Sequence, residues 1–223
     1  MNQPETGAAR NTARQILLLT TTLSTLFGVL YFAGLMGKLV VNGSIHATSS
    51  PAISMVSAAV GLLWDITLVI LFLALRRLIP GSKMIFAELG SVFMILAAAG
   101  SSINWYVQLT VVPKIVQAGD ANTLALLDIH NIDSMMYALE HLAWGPFFGL
   151  ATIFMAAAIE DGKIETWIRW LLIASGVMSL LFVPGRLMGS QVLIDLGYYA
   201  AGILLPVTTT LMTVRFWKNG NNG

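Results

Sequence analysis

The stretch "AISMVSAAVGLLWDITLVILFLAL", residues 52–75, decides the fold class, because it is long, apolar and carries a single ionisable side chain. A helix needs about 20 predominantly apolar residues to cross the hydrocarbon core of a bilayer. The segment meets that requirement, and Asp65 lies near its middle. We therefore predict a transmembrane helix here, with one carboxyl group at mid-depth.

Five further segments have the same character. They are predicted at 16–38, 84–112, 135–158, 166–185 and 190–214. Short polar links join them, apart from a longer outer stretch over 113–134. The last two segments are joined by a tight turn around Pro184, Gly185 and Arg186. We predict an all-α bundle of six transmembrane helices.

Composition supports the same class. Of the 223 residues, 57% are hydrophobic and 10% are charged, whereas soluble domains have about a quarter charged residues. The net charge of +1 gives no indication of a nucleic-acid partner, and the absence of Cys excludes disulfides and thiolate chemistry. We expect one domain, 1–223, partnered by the lipid bilayer, with no cofactor; the oligomeric state is left open.

The positive charges predict the orientation. One side of the bundle is assigned nine of them: Arg10, Arg14, Arg76, Arg77, Lys83, Lys163, Arg169, Arg215 and Lys218. The other side is assigned Lys38, Lys114 and Arg186. Because cytoplasmic loops carry the excess of Lys and Arg, we predict both termini, including tails 1–15 and 215–223, in the cytoplasm. The chain is then a multi-pass protein of the bacterial inner (plasma) membrane.

Polar groups inside the predicted spans are the candidates for function, since ionisable side chains are costly in lipid. The candidates are Trp64, Asp65, Ser101, Asn104, Trp105, Gln108, Glu140, His141, Trp144, Arg186, Asp195 and Tyr199. In span 3 they recur every three or four residues, and so share one helix face. Most lie in the predicted outer half of the bilayer, with Asp65 near the midplane. They predict a shared polar and aromatic cavity for a lipophilic or amphipathic small molecule.

Three of these residues are the catalytic candidates. Asp65, Glu140 and His141 can serve as acid or base groups, and a carboxyl group in a low-dielectric medium can stay protonated, as general acid catalysis requires. The aromatic candidates would line the pocket and attract a positively charged centre through their π faces. The first hypothesis is therefore an intramembrane acid/base enzyme, such as an isoprenoid cyclase.

Pro146 interrupts span 4 one turn after this group of residues. Its ring nitrogen cannot donate to the carbonyl of Leu142. We predict a kink that leaves that carbonyl as an extra acceptor beside His141. Pro206 is expected to act in the same way in span 6.

Two other functions fit the same residues. In a small proton-coupled transporter the carboxyl groups would carry protons, whereas in an accessory or immunity-type protein the polar groups would only hold helices together. Arg186 and Asp195 can also form an interfacial ion pair. Asp128, His130 and Asp133 in the outer loop lack a recognised metal-ligand spacing, so no metal site is predicted.

Two resemblances bear on these alternatives. The runs "INWYVQLTVVPKIVQAGD", "ALEHLAWGPFFGLATIFMAAAI" and "IRWLLIASGVMSLLF" resemble a group of uncharacterised bacterial six-helix membrane proteins, which implies the fold but no activity. Trp64-Asp65 resembles the Trp-Glu pair of membrane-embedded terpene cyclases from meroterpenoid pathways, with Asp in place of Glu and six spans in place of seven. That second resemblance implies protonation of an isoprenoid alkene or epoxide by a membrane carboxylic acid.

Overall fold

The computed structural model describes residues 7–42, 51–160 and 162–218. Within these ranges the chain is helical, with connecting turns and no strand. Six of its helical segments are long and apolar enough to cross a membrane. The prediction of an all-α bundle with six transmembrane helices is confirmed, while the orientation of its ends in the membrane stays a prediction.

Eleven α-helices form the described part of the chain. They are α1 Gly7–Asn42, α2 Pro51–Arg76, α3 Met84–Thr110, α4 Val112–Ala118, α5 Ala121–Leu127, α6 Met135–Leu142, α7 Phe148–Ala158, α8 Lys163–Leu180, α9 Phe182–Met188, α10 Gln191–Tyr199 and α11 Leu205–Lys218.

Consecutive helices combine into six membrane-crossing spans. Spans 1 to 6 run over Thr12–Gly34, Ser54–Arg76, Gly81–Ala118, Met135–Ala158, Lys163–Met188 and Gln191–Lys218. α1 begins at Gly7 and α11 continues to Lys218, so parts of the predicted tails, 1–15 and 215–223, are helical.

The six spans form a closed ring in chain order. α1 packs against α2, α2 against α3, α3 against α7, and α7 against α8. Span 6 completes the ring, since α11 contacts both α8 and α1. A ring of this kind gives every span one inward face, on which side chains from all six spans can meet.

Aromatic side chains fill much of the interior. Trp64, Phe72, Phe148 and Phe182 are all at most 2% exposed. Large apolar residues elsewhere on the same helices, such as Leu63 next to Trp64, are exposed, as expected for a surface that faces lipid.

The ring has two distinct ends. At one end, which we call the basic end, Arg76 donates to Glu88 at 2.6 Å, Arg169 donates to the Ile159 carbonyl at 2.6 Å, and Arg215 pairs with Glu165. The opposite end, which we call the loop end, carries α4 and α5. The loop end corresponds to the predicted outer side.

The long link predicted over 113–134 is largely helical, and the helices in and after it begin with side-chain hydrogen bonds. Asp120 precedes α5, and its Oδ1 accepts the Thr123 backbone N–H at 3.1 Å; Ser134 precedes α6, and its Oγ accepts the Tyr137 N–H at 3.0 Å. Such side-chain acceptors satisfy the first N–H groups of a helix. The hydrogen bonds from Thr123 lower the pKa of Asp120.

The predicted turn between spans 5 and 6 is wrong in position. α9 runs through Pro184, Gly185 and Arg186, and the chain turns at Gly189 instead. Pro184 falls in the first turn of α9, where a backbone N–H is not required. Gly189 ends the helix in the left-handed region, with φ of +64°, which favours glycine.

Two π-helical turns break the regular α-helix in spans 4 and 6. The first covers Ala143–Phe147 and contains Pro146; the second covers Ala200–Leu204 and ends two residues before Pro206. Each of the two prolines thus lies in or next to a wide turn, while the freed Leu142 carbonyl stays a prediction. In the second turn, the Ala200 carbonyl accepts both the Leu205 N–H and the Ser175 hydroxyl.

Candidate functional site

Asp65 lies inside the ring, near the middle of α2. It is fully buried, and Ser102 Oγ donates to its Oδ2 at 3.2 Å. Its other oxygen, Oδ1, is buried without a hydrogen-bond partner. Because a buried polar atom without a partner costs free energy, this oxygen marks a position where a proton or a ligand group would find an acceptor.

Glu140 is the second interior carboxyl group, on α6. It is 3% exposed, and Asn104 Nδ2 donates to its Oε2 at 2.7 Å. Gln108, one turn further along α3, donates to Asn104 Oδ1 at 3.4 Å and to the Leu127 carbonyl at 2.7 Å. Glu140 is thus connected by side-chain amides to the end of α5 at the loop end.

A tryptophan and a serine connect the surroundings of the two carboxyl groups. Trp144 Nε1 donates to Ser101 Oγ at 3.0 Å, and the same indole N–H lies within reach of Glu140. Ser101 in turn lies beside Asp65, which is close enough to Glu140 for their charges to interact. The two carboxyl groups therefore belong to one cluster, which we call the acidic cluster: Asp65, Ser101, Asn104, Glu140 and Trp144.

Aromatic rings pack against the acidic cluster. The ring centroids of Trp64 and Trp144 are 5.5 Å apart, and those of Trp64 and Tyr31 are 5.7 Å apart. Tyr31 is near enough to both carboxyl groups to feel their charge. Trp64 is held from the other side by its Nε1 hydrogen bond to Ser24 Oγ at 3.0 Å.

Trp105 lies on α3, as Ser101 and Asn104 do, but it packs against Gly61 of α2. Its indole ring packs against Gly61, where an added Cβ atom would lie 2.5 Å from the nearest ring atom. Its Nε1 is buried without a hydrogen-bond partner. The glycine is therefore required for the close approach of α2 and α3 at this level.

His141 faces span 6 and the start of its own helix. Its Nε2 and the Tyr198 hydroxyl are 3.1 Å apart, and its ring stacks on Phe182 at 4.4 Å between centroids. Tyr137 packs on the same imidazole ring at 4.1 Å. These contacts form a second group, the aromatic group Tyr137, His141, Phe182 and Tyr198.

The remaining predicted residues lie at the rim of the loop end. Arg186 donates to the Ile132 carbonyl at 2.5 Å and lies over the Tyr137 ring at 5.0 Å. Asp195 accepts from Gln191 Nε2 at 2.9 Å, and Tyr199 is half-buried in the following turn. The Arg186–Asp195 ion pair stays a prediction; the contacts described here assign both residues other partners.

The geometry also contains functional candidates that the sequence analysis did not single out. These are Ser24, Tyr31, Ser102, Tyr137 and Tyr198. Serine and tyrosine are common in apolar helices, so nothing in the local sequence distinguishes these five from their neighbours. Only the order of the ring shows that span 1 contributes to the site.

A metal site in this chain would take its ligands from the acidic and histidine side chains. The described residues contain no group of three or more His, Asp or Glu side chains placed to hold an ion. At the loop end, Asp128 Oδ1 bonds His130, both through its ring nitrogen and through its backbone N–H, at 2.9 Å each.

The fold and the site together define a class. The chain is a multi-pass integral membrane protein of six apolar helices, and its described interior holds two carboxyl groups in one cluster. Comparison of the chain with protein-family models, with curated proteins and with solved structures gave no match.

Proposed function

We propose that the acidic cluster is an acid/base site for a lipophilic small molecule, with Asp65 and Glu140 as the groups that exchange protons. The observation that carries the proposal is the burial of both carboxyl groups in one cluster, with no Lys or Arg among their described contacts. Asp65 contacts serine hydroxyls, and Glu140 contacts an amide and an indole. Two carboxylates in apolar surroundings repel each other, so at least one of them is best accommodated as the neutral acid.

A pair of this kind supports a balanced reaction. The neutral carboxyl group donates its proton to one atom of the ligand, and the carboxylate removes a proton from another. The ligand keeps its atoms and electrons, so the product is an isomer, formed by double-bond migration or cyclisation. A lipophilic alkene, such as an isoprenoid, is a substrate on which this exchange would operate.

The surrounding residues have distinct supporting roles in this proposal. Asn104 and Ser102 orient one oxygen of each carboxyl group by hydrogen bonds. Trp64, Trp144 and Tyr31 supply apolar surface that excludes water. His141 follows Glu140 on α6 and remains a third candidate proton carrier, where it contacts Tyr198.

The experiment compares lipids from cells whose own gene copy is replaced by Asp65→Asn, by Glu140→Gln or by Glu88→Gln. Glu88 is the matched control, because it is a carboxyl group paired with Arg76 away from the cluster. We expect two lipophilic species of equal mass, separable by chromatography, whose ratio shifts in the two cluster variants but not in the control. Extracts that stay identical while all three proteins remain folded would refute the acid/base role.

A second candidate, transport, is favoured by one specific feature. Threonine and serine side chains line the contact between α1 and α11, from the middle of the bundle toward the basic end. This hydroxyl seam consists of Thr21, Ser24, Thr25, Thr209 and Thr210. Its Ser24 bonds Trp64, next to Asp65, so polar groups reach the acidic cluster from both ends of the ring.

Proteoliposomes distinguish the two functions. With a lipid extract of the cells added as the source of substrate, a proton-coupled transporter would dissipate an imposed pH gradient across the vesicle membrane, measured with a trapped pH dye, and Asp65→Asn would abolish the dissipation. An isomerase would leave the gradient intact in both proteins.

A further inference from the structure

The acidic cluster combines negative charge with aromatic faces. Trp64 lies between Tyr31 and Trp144, and its ring centroid is 5.7 Å from that of Tyr31 and 5.5 Å from that of Trp144. The same rings are close to Asp65 and Glu140: Trp144 contacts Glu140, and Tyr31 is near enough to both carboxyl groups to interact with their charges. π faces attract cations and repel anions, so the rings and the carboxyl groups favour the same sign of ligand charge.

Four arginines of the described residues have partners away from the acidic cluster. Arg76 and Arg215 pair with glutamates at the basic end, Arg169 donates to a backbone carbonyl there, and Arg186 donates to a carbonyl at the loop end. None of the described contacts of Asp65 or Glu140 is with Lys or Arg. Among the residues that the structure describes, an ionised carboxylate in the cluster therefore has no cationic partner.

We propose that the ligand recognised by the acidic cluster is a lipophilic cation, that is, a positive centre carried by an apolar body. The inference rests on the proposed function and names its ligand class, because protonation of a neutral alkene at this site creates such a positive centre. Asp65 Oδ1, buried and without a partner, supplies the acceptor toward which the positive centre would lie.

A metal ion fits these surroundings less well than an organic cation. Small hard cations need about six oxygen ligands. The oxygens of the cluster are largely engaged: Ser101 accepts from Trp144, and Asn104 Oδ1 accepts from Gln108. Indole and phenol rings in place of oxygen ligands select a large, weakly hydrated cation.

The test uses two ions of matched size and shape and opposite charge, tetraphenylphosphonium and tetraphenylborate. Their binding to the purified protein in dodecylmaltoside is followed by quenching of tryptophan fluorescence and by equilibrium dialysis, with empty micelles subtracted. We expect the phosphonium to bind at least about tenfold more tightly than the borate, and Asp65→Asn or Glu140→Gln to remove most of that preference. The control Glu88→Gln should keep it.

The outcomes separate this inference from the proposed function. Equal binding of the two ions to the wild-type protein, a measurement that needs no variant, would overturn the lipophilic-cation assignment. A charge preference that survives both cluster substitutions would also overturn it, because the preference would then arise elsewhere. If the lipid extracts still depend on Asp65 and Glu140 in either of these cases, the acid/base role stands and only the ligand class falls.

Discussion

A single hydrogen bond between neighbouring spans fixes the position of the second carboxyl group. The spacing of Ser101, Asn104 and Gln108 predicts a polar face on span 3, and the antiparallel order of spans 3 and 4 places Glu140 opposite that face. The structure shows the contact, from Asn104 Nδ2 to Glu140 Oε2, at 2.7 Å. Both side chains are almost fully buried, so this bond is made in a medium where its loss is costly.

A double-mutant cycle measures that bond directly. We expect Asn104→Ala and Glu140→Ala each to destabilise the protein, and the double variant to lose less than the sum, with a coupling free energy of about 1–3 kcal/mol. The measurement is the free energy of unfolding in mixed micelles. Additive losses would mean that the two side chains do not stabilise each other.

Sequence reasoning reached part of this site and missed the rest for a definite reason. Asp65 and Glu140 are visible in the sequence because a carboxyl group in an apolar helix requires explanation. Ser24 and Tyr31 are not, because their importance depends on which helix lies beside α2. That neighbour follows from ring closure, and a single helix contains no local signal for it.

At the scale of elements, small residues decide how closely helices approach. Gly176 on α8 packs against α7, and a Cβ atom added there would lie 2.6 Å from the Gly149 carbonyl oxygen. A backbone oxygen cannot move aside to relieve this steric clash as a flexible side chain can, so the two helices would have to separate. The predicted spans give the lengths of these helices but not this distance between them.

We expect Gly176→Ala to destabilise the protein by about 1–3 kcal/mol, the usual cost of overpacking. Gly34→Ala on α1 is the control, since nothing lies within 4 Å of the added Cβ. Thermal unfolding in detergent, followed by scanning fluorimetry, compares the two. An equal midpoint for both variants would contradict the close packing of α7 and α8.

The short helix α5 should respond to acid. Hydrogen bonds from Thr123 lower the pKa of Asp120 in the folded protein. The ionised carboxylate at the start of α5 therefore stabilises the folded state at pH values above the pKa that Asp120 has in the unfolded chain. That contribution is lost as the pH falls through the folded-state pKa. Amide hydrogen exchange in residues 121–127 should accelerate in acid, after correction for the intrinsic rate, and Asp120→Asn should remove most of this dependence.

For the whole molecule, orientation is the outstanding prediction. The positions of Lys and Arg predict that the basic end faces the cytoplasm. Because the chain contains no Cys, a single introduced thiol reports one position. Ser82 lies at the basic end and Ala121 begins α5 at the loop end, and both are exposed.

An impermeant thiol reagent applied to intact cells should modify Ala121→Cys and spare Ser82→Cys. Permeabilised cells provide the control, in which both positions should react. Labelling of the Ser82 variant alone in intact cells would reverse the orientation, and with it the assignment of the acidic cluster to the outer half of the membrane.

The closure of the ring between α1 and α11 has a consequence for the order of synthesis. Of the described helices, α1 is synthesised first and its partner α11 last. The face of α1 that packs against α11 therefore has no protein partner until the last span has been translated. The threonines on that face already have hydrogen-bond acceptors within α1: Thr21 and Thr25 each donate to a carbonyl of their own helix, at 2.8 and 2.9 Å. Their hydroxyl protons are satisfied before α11 arrives, and the Thr25–Thr209 contact at 2.8 Å can then form without exposing an unpaired donor to lipid.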